Sequence, residues 1–208
     1  LVDASQSMAF GSPTKFECAL RLAAALSYIA LSSLNRVQVC SFAHRLDQRF
    51  GPKRGKASIH PLFDFLARLE PRGPSELGRA VHEFSVTTRR TGVLILLSDF
   101  LVPGGYENAL APVVGRGFEV GCIQIMDQAE IDPGMEGDLL LLDSETGEER
   151  EVTMSPASVR RYRERVNAYN AGLRDWCFAH RANYTLVTTD MDFRDVVMRY
   201  LRVQGFLR

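Results

Sequence analysis

Short apolar segments alternate with longer helical segments along most of this chain, and this rhythm constrains the fold most. Parallel strands need a crossover of about a dozen residues, usually a helix, and the alternation supplies one each time. It predicts an α/β fold, with a doubly wound, mostly parallel six-stranded sheet flanked by helices. The predicted strands lie at 1–3, 36–42, 44–50, 93–98, 118–126 and 184–188. The predicted helices lie at 15–34, 59–69, 75–90, 106–114, 155–181 and 192–204.

Two segments stand outside the alternation. Gly, Pro and charged residues at 51–56 predict a loop. Apolar residues at 139–142 and a second extended run at 149–153 flank a turn at 143–148, which predicts a β-hairpin inserted near 137–153.

Composition limits the classes of function. The chain has 208 residues, enough for one α/β domain spanning 1–208. It carries 25 basic and 25 acidic residues, which gives no basic footprint for nucleic acid. No apolar stretch reaches the length of a bilayer span.

The termini and cysteines bear on cellular context. The chain begins at Leu1, inside a predicted strand and without methionine, which indicates an N-terminally truncated fragment of a longer chain whose preceding anchor or signal is not visible. The four cysteines are widely spaced without a Cys-x-x-Cys motif, which favours a reducing, cytoplasmic compartment.

Oxygen donors are concentrated after two of the predicted strands. Asp3, Ser5 and Ser7 follow the opening apolar run, and Asp99 follows 93–98. Ligands of open α/β sheets bind at the carboxyl ends of strands, where the strand order reverses. Ser75 adds a hydroxyl in a tight Gly-Pro loop before a helix. Hard oxygen donors of this kind suit Mg²⁺ or Mn²⁺.

Each of these residues also has a structural interpretation. Asp3, Ser5 and Ser7 could be turn residues that satisfy backbone donors, and Ser75 could be a helix N-cap. Three further acids, Asp127, Asp190 and Asp192, follow strands on the same edge and are predicted to be turn and cap residues. The four histidines show no metal-ligand spacing.

The five oxygen-bearing residues together resemble the metal-ion-dependent adhesion site of von Willebrand factor A-type (vWA) domains. That family carries Asp-x-Ser-x-Ser after its first strand, a Thr in a later loop and an Asp after its fourth strand. The chain departs from this pattern with Ser75 in place of Thr and Pro74 in place of a commoner Gly. Further similarity at 7–11, 19–34, 143–148 and 187–190 is to a bacterial subgroup, domain of unknown function 58.

The resemblance implies a function. Ser5, Ser7 and Ser75 would bind Mg²⁺ or Mn²⁺ directly, and Asp3 and Asp99 directly or through water. A partner's acidic residue would complete the shell. We therefore expect a non-catalytic, metal-dependent protein-interaction module. Relatives of the subgroup are associated with MoxR-type AAA-plus ATPases, which makes such an ATPase the first expected partner.

Two alternatives remain open. A Mg²⁺-dependent phosphoryl-transfer hydrolase also places an Asp after its first strand, but those of the haloacid dehalogenase type carry Asp-x-Asp. Here Ser5 holds the second position, and no lysine is evident to complete the set. The other alternative is a vWA scaffold that has lost metal binding, which the Ser75 departure allows.

Overall fold

The computed structural model describes residues 1–102, 104–134, 137–142 and 149–203, which form one main sheet and a separate hairpin. The main sheet comprises β1 (Val2–Asp3), β2 (Arg36–Phe42), β3 (Leu46–Arg54), β4 (Val93–Ser98), β5 (Glu119–Met126) and β8 (Asn183–Thr188). The hairpin comprises β6 (Gly137–Leu142) and β7 (Glu149–Met154).

Seven α-helices connect or follow these strands within the described residues. They are α1 (Lys15–Ser32), α2 (Ile59–Leu66), α3 (Leu77–Thr87), α4 (Glu107–Gly115), α5 (Gln128–Ile131), α6 (Pro156–Ala179) and α7 (Phe193–Val203). The single-turn α5 is the one that the sequence pattern did not predict, because four residues are too short to show a helical period.

The strand order confirms the doubly wound prediction. It runs β3-β2-β1-β4-β5-β8, with β3 antiparallel to β2 and the other neighbours parallel. The chain goes from β1 outward to β2 and β3, then returns to β4 on the other side of β1. The order therefore reverses between β1 and β4, and the crevice for ligands lies above their carboxyl ends.

Helices cover both faces of the sheet, because the central strands are apolar on both. Along β5, Val120 and Cys122 belong to the core under α3, α4 and α6, whereas Ile123 and Ile125 belong to the core under α1, α2 and α7. Successive side chains of a strand point to opposite faces, so one continuous apolar run fills two cores. This double burial fixes β4 and β5 rigidly beside the crevice.

One predicted loop is wrong. Gly51–Arg54 of the predicted loop 51–56 continues β3 instead, opposite Val37 and its neighbours on β2. A register shift between Val37 and Val39 accommodates the extra chain, and Gly51 adopts a φ of +84°. A β-bulge with glycine lets an edge strand pass through residues that usually end one.

The predicted hairpin is confirmed. β6 and β7 pair antiparallel, from Gly137 opposite Met154 to Leu142 opposite Glu149. The predicted turn at 143–148 lies outside the described residues.

All four cysteines are free thiols, and Cys40, Cys122 and Cys177 are buried. Within the described part of the chain, no helix is both long and apolar enough to cross a membrane.

Candidate metal centre

Two backbone hydrogen bonds bring the opening loop and the loop before α3 together. The Gln6 N–H donates to the Gly73 carbonyl at 2.8 Å, and the Arg72 N–H donates to the Ala4 carbonyl at 2.7 Å. Because these loops are about 70 residues apart in sequence, their contact depends on the sheet placing β1 at its centre. The contact positions Ser75 beside the end of β1.

Asp3 is the centre of the predicted cluster and is fully buried. Its Oδ1 accepts from the Ser5 N–H at 2.9 Å. Its Oδ2 accepts from the Ser98 hydroxyl at 2.6 Å and from the Ser75 hydroxyl at 3.3 Å. Ser98, the last residue of β4, is a site residue that the sequence analysis missed, because its role depends on the direction of its hydroxyl toward Asp3.

The three predicted hydroxyl ligands lie in the same cluster. The Ser5 and Ser7 hydroxyl oxygens are 3.0 Å apart, and the Ser75 hydroxyl contacts Asp3. Ser5 and Ser75 are buried, whereas Ser7 is half-buried. The alternative reading of Ser75 as a helix N-cap is wrong, because α3 begins at Leu77 and Glu76 holds the N-cap position without a side-chain cap.

The electrostatics of Asp3 favour a cation. Burial and, second, the nearby negative charge of Asp99 raise the pKa of the Asp3 carboxyl to about 6. The hydrogen bonds from Ser98 and Ser5 lower this pKa and offset the rise only in part. No ion pair to Asp3 occurs in the described ranges. A buried carboxylate in this environment has a lower free energy with a bound cation or proton than it has ionised and unpaired.

Asp99 lies at the carboxyl end of β4, as predicted, but a lysine contacts it. Lys15 Nζ donates to Asp99 Oδ2 at 2.7 Å and to Glu130 Oε1 at 2.6 Å. Lys15 and Asp99 are almost completely buried, with side chains 1% and 2% exposed. Burial lowers the pKa of the Lys15 ammonium, but the charges of Asp99 and Glu130 raise it overall, so Lys15 is a fixed cation.

The sequence analysis missed both Lys15 and Glu130 as residues of the site. Lys15 is the first residue of α1, where a positive charge opposes the helix dipole. A lysine at that position, in a chain with three lysines in all, was the signal available in the sequence. Glu130 lies on the short α5, which no pattern predicted.

The turn after β4 is held in a strained conformation. Phe100 is a buried non-glycine residue with a φ of +58°, which costs roughly 1–2 kcal/mol. Its N–H donates to the Ser98 hydroxyl at 3.0 Å, and its carbonyl accepts from the Tyr169 hydroxyl at 2.6 Å. Gln124 also donates to the Asp99 carbonyl at 3.0 Å. These contacts fix the backbone of Asp99 and Phe100 at the end of β4.

The other acids of this edge have the turn and cap roles that were predicted. Asp127 caps α5 by accepting from the Ala129 N–H at 2.9 Å. Asp192 accepts from the Arg194 N–H at 2.8 Å at the start of α7. Asp190 accepts from the Thr188 hydroxyl. None of the three contacts the Asp3 cluster in the described structure.

The donor set fits a hard divalent cation. It combines two carboxylates with three serine hydroxyls, and oxygen donors of this kind suit Mg²⁺ or Mn²⁺. Among the residues that the structure describes, no group of three or more His, Cys, Asp or Glu side chains could hold a metal ion. Metal binding at this edge would therefore depend on the serines. The Lys15 ammonium on Asp99 opposes metal binding at this edge.

Comparison with known proteins gives a family and a fold. A family described as "Protein of unknown function DUF58" matches residues 1–171. The uncharacterized protein Rv1480 of Mycobacterium tuberculosis and the uncharacterized protein Mb1516 of Mycobacterium bovis are each 25% identical over 207 residues. These matches cover 97% of this chain and 65% of either relative, so the chain spans just under two thirds of their length.

Two solved structures share the fold. One is a conserved hypothetical protein, BatB, from Bacteroides thetaiotaomicron, with a TM-score of 0.57 and 13% identity over 98% of this chain and 96% of that one. The other is called an aerotolerance-related membrane protein, from Bacteroides fragilis, and was solved with multiple mutations to serines. It has the same TM-score and identity over 99% of this chain and 96% of that one. At this identity the likeness concerns the fold alone.

Proposed function

We propose that this chain, which belongs to the DUF58 family, is a non-catalytic protein-interaction module of vWA type that depends on a divalent cation. Mg²⁺ or Mn²⁺ would be held by Asp3, Ser5, Ser7, Ser75 and Asp99. A partner protein would complete the site with an acidic side chain. The first candidate partner is a MoxR-type AAA-plus ATPase, which the resemblance to vWA domains of this subgroup suggests.

One observation carries the proposal. Three segments that are distant in sequence meet at the switch point of the sheet, at residues 3–7, 75 and 98–99, and the first two and Ser98 contribute oxygens to one hydrogen-bonded cluster. The Ser75–Asp3 and Ser98–Asp3 hydrogen bonds span 72 and 95 residues. Turn residues that merely satisfied local backbone donors would not need to converge on one carboxylate. The raised pKa of Asp3 supports the proposal further, because it indicates that the negative charge of this buried carboxylate is not compensated.

The residues of the chain have separable roles in this function. Asp3 is oriented by three hydrogen bonds, so its carboxylate requires no reorganisation on binding. Ser7, the half-buried member, marks the open side of the cluster. A bound divalent cation would supply the Lewis acidity that attracts a partner's carboxylate, and three neutral hydroxyl ligands would leave that acidity largely unquenched.

Large apolar side chains beside the cluster suit a protein partner. Phe10 is 49% exposed and Leu101 is 45% exposed. The Phe10 carbonyl accepts from the Lys15 N–H at 2.9 Å, and the Leu101 N–H donates to Asp99 Oδ1 at 3.0 Å. Phe10 is therefore tied to Lys15 and Leu101 to Asp99, which are the two partners of the buried ion pair. Exposed aromatic and aliphatic residues next to a charged site are typical of interaction surfaces.

Titration with MgCl₂ or MnCl₂ tests the metal site. At a concentration one hundred times the dissociation constant, binding to the folded state alone stabilises by about 2.7 kcal/mol, which raises Tm by about 5–10 °C in a domain of this size. Asp3→Ala should abolish the rise, and Ser5→Ala should weaken the affinity about tenfold or more. The matched control is Asp64→Ala, which removes an exposed acid of α2. Equal Tm shifts in wild type and Asp3→Ala would refute the site.

Binding to a purified MoxR-type ATPase from the same organism tests the interaction role. We expect capture in Mg²⁺ buffer, loss of capture in EDTA, and loss with Asp3→Ala in either buffer. Phe10→Ala combined with Leu101→Ala should reduce affinity about tenfold or more, since each truncation of a contact residue costs on the order of 1 kcal/mol. Capture that is indifferent to EDTA would remove the cation from the mechanism.

The Lys15–Asp99 ion pair favours a second candidate, a vWA scaffold in which the lysine ammonium replaces the metal. Its contacts of 2.7 and 2.6 Å already neutralise part of the acidic cluster. The same titration separates the two candidates, since the scaffold would show no metal-dependent stabilisation.

The phosphoryl-transfer alternative is tested by a phosphatase screen in Mg²⁺ buffer, where we expect no turnover. Lys15 contacts Asp99, whereas that reaction would need the lysine to act on a phosphate beside the acid after the first strand, Asp3.

A further inference from the structure

The buried Lys15 ammonium contacts Asp99, one of the two carboxylates of the candidate metal centre. The chain has three lysines, of which Lys53 and Lys56 are exposed on the surface. Lys15 is 1% exposed, and both of its ion-pair partners are carboxylates of other elements. A buried charge is retained only where it is paired, so this lysine and the site carboxylates depend on each other.

Both oxygens of Asp99 already have partners. Oδ1 accepts from the Leu101 N–H at 3.0 Å, and Oδ2 accepts from Lys15 Nζ at 2.7 Å. A divalent cation ligated by this carboxylate would lie within a few ångströms of the ammonium. Two cations that close repel each other strongly in a buried site, where water screens little.

We infer that Lys15 and the divalent cation compete for Asp99, so that Lys15 sets the metal affinity of the site. This inference rests on the proposed function and deepens it. With the ion pair in place, Asp99 would contribute to the metal only weakly or through water. Direct ligation by Asp99 would require the ammonium to leave Oδ2.

A second carboxylate, Glu130, can keep the Lys15 ammonium paired if its contact with Asp99 is lost. Glu130 Oε1 holds the same ammonium at 2.6 Å, so Lys15 keeps one partner when Asp99 is taken. Glu130 also caps α5 through the Asp127 N–H at 2.8 Å, and its carbonyl accepts from the Tyr162 hydroxyl of α6 at 2.6 Å. The competition therefore links the metal centre to α5 and α6.

Metal affinity measured by calorimetry in Lys15→Met tests the inference. We expect Mg²⁺ to bind about tenfold or more tightly than in wild type, because the competing charge is gone. Lys56→Met, the same charge change at an exposed lysine, should leave the affinity unchanged. Lys15→Met alone leaves the Glu130 carboxylate without its ion-pair partner. The double variant Lys15→Met/Glu130→Gln removes that charge too, and replaces the single variant in the measurement if the single variant folds poorly. An unchanged or weaker affinity in both Lys15 variants would overturn the inference.

Displacement can also be observed directly. In protein with ¹⁵N-labelled lysine, the buried Lys15 ammonium should give a slowly exchanging signal that Lys15→Met lacks. Saturating Mg²⁺ should shift or broaden this signal and leave those of Lys53 and Lys56 unchanged. A Lys15 signal that is indifferent to bound Mg²⁺ would also overturn the inference, since a lysine with a merely structural role would not respond.

The outcomes separate this inference from the proposed function. If wild type binds Mg²⁺ and the Lys15 variants bind it equally, the proposed function stands and the inference fails. If wild type does not bind Mg²⁺ but Lys15→Met does, the inference stands and the metal-dependent function of the natural chain fails. If neither binds, both fail.

Discussion

Lys15→Met is expected to lower the free energy of unfolding by about 3–5 kcal/mol in metal-free buffer, the range for removing one partner of a buried ion pair. The loss leaves Asp99 buried and uncompensated at 1% exposure, beside the equally buried Asp3. The substitution keeps the side-chain volume, so a cavity does not explain the effect. Chemical denaturation with urea, followed by circular dichroism, measures it.

Two variants control this prediction. Lys56→Met should change stability by no more than about 0.5 kcal/mol, as exposed substitutions usually do. Lys15→Met/Asp99→Asn should recover most of the loss, because replacing both members of a buried pair by neutral groups is often close to neutral. If the double variant were as unstable as the single one, packing of the lysine stem would be the cause, and not the unpaired charge.

Asp3→Asn is expected to stabilise the metal-free protein at neutral and alkaline pH. The pKa of Asp3 is raised from 3.8 to about 6, chiefly by burial and by the charge of Asp99, which corresponds to a cost of about 3 kcal/mol once the carboxyl is ionised. The folded state therefore holds the proton more tightly than the unfolded state. The stability of wild type should fall as pH rises from about 4 to about 6, then stay low.

The substitution has a pH signature that a packing effect lacks. Near pH 3.5, where Asp3 is largely protonated in both states, Asp3→Asn and wild type should differ little. Above pH 6.5 the variant should be more stable by about 3 kcal/mol. In saturating Mg²⁺ the difference in stability between Asp3→Asn and wild type should become smaller or reverse its sign, because only wild type is stabilised by binding the cation. A variant that is less stable than wild type at pH 8 without metal would contradict the raised pKa.

Much of the fold follows from local pattern. The runs at β2 and β4 are predicted to the residue, because a continuous apolar or β-branched run bounded by polar residues has few other interpretations. The prediction failed at Gly51–Arg54, where pairing with β2 outweighs the tendency of glycine and proline to end a strand. It also failed at α5, whose single turn depends on the capping box of Asp127 and Glu130.

The residues of the candidate site also divide into those that local sequence pattern indicates and those that it does not. Asp3, Ser5, Ser7, Ser75 and Asp99 could be selected from the sequence because each stands directly at a strand end or a tight loop. Ser98 could not, because its role depends on the direction of one hydroxyl toward Asp3. Lys15 and Glu130 are separated from one another by 115 residues, and no local period connects them.

Local pattern was enough to predict a mostly parallel sheet and an aspartate at the carboxyl end of each of two strands, because strand period and apolar burial are local properties. The pairing of β1 with β4, and the groups that compensate the two carboxylates, depend on the folded structure. Asp3 is bound by neutral hydroxyls, while Asp99 is bound by the Lys15 ammonium, 84 positions away in the chain. Which charge neutralises which depends on distances of a few ångströms in a low-dielectric interior, and these distances arise from packing.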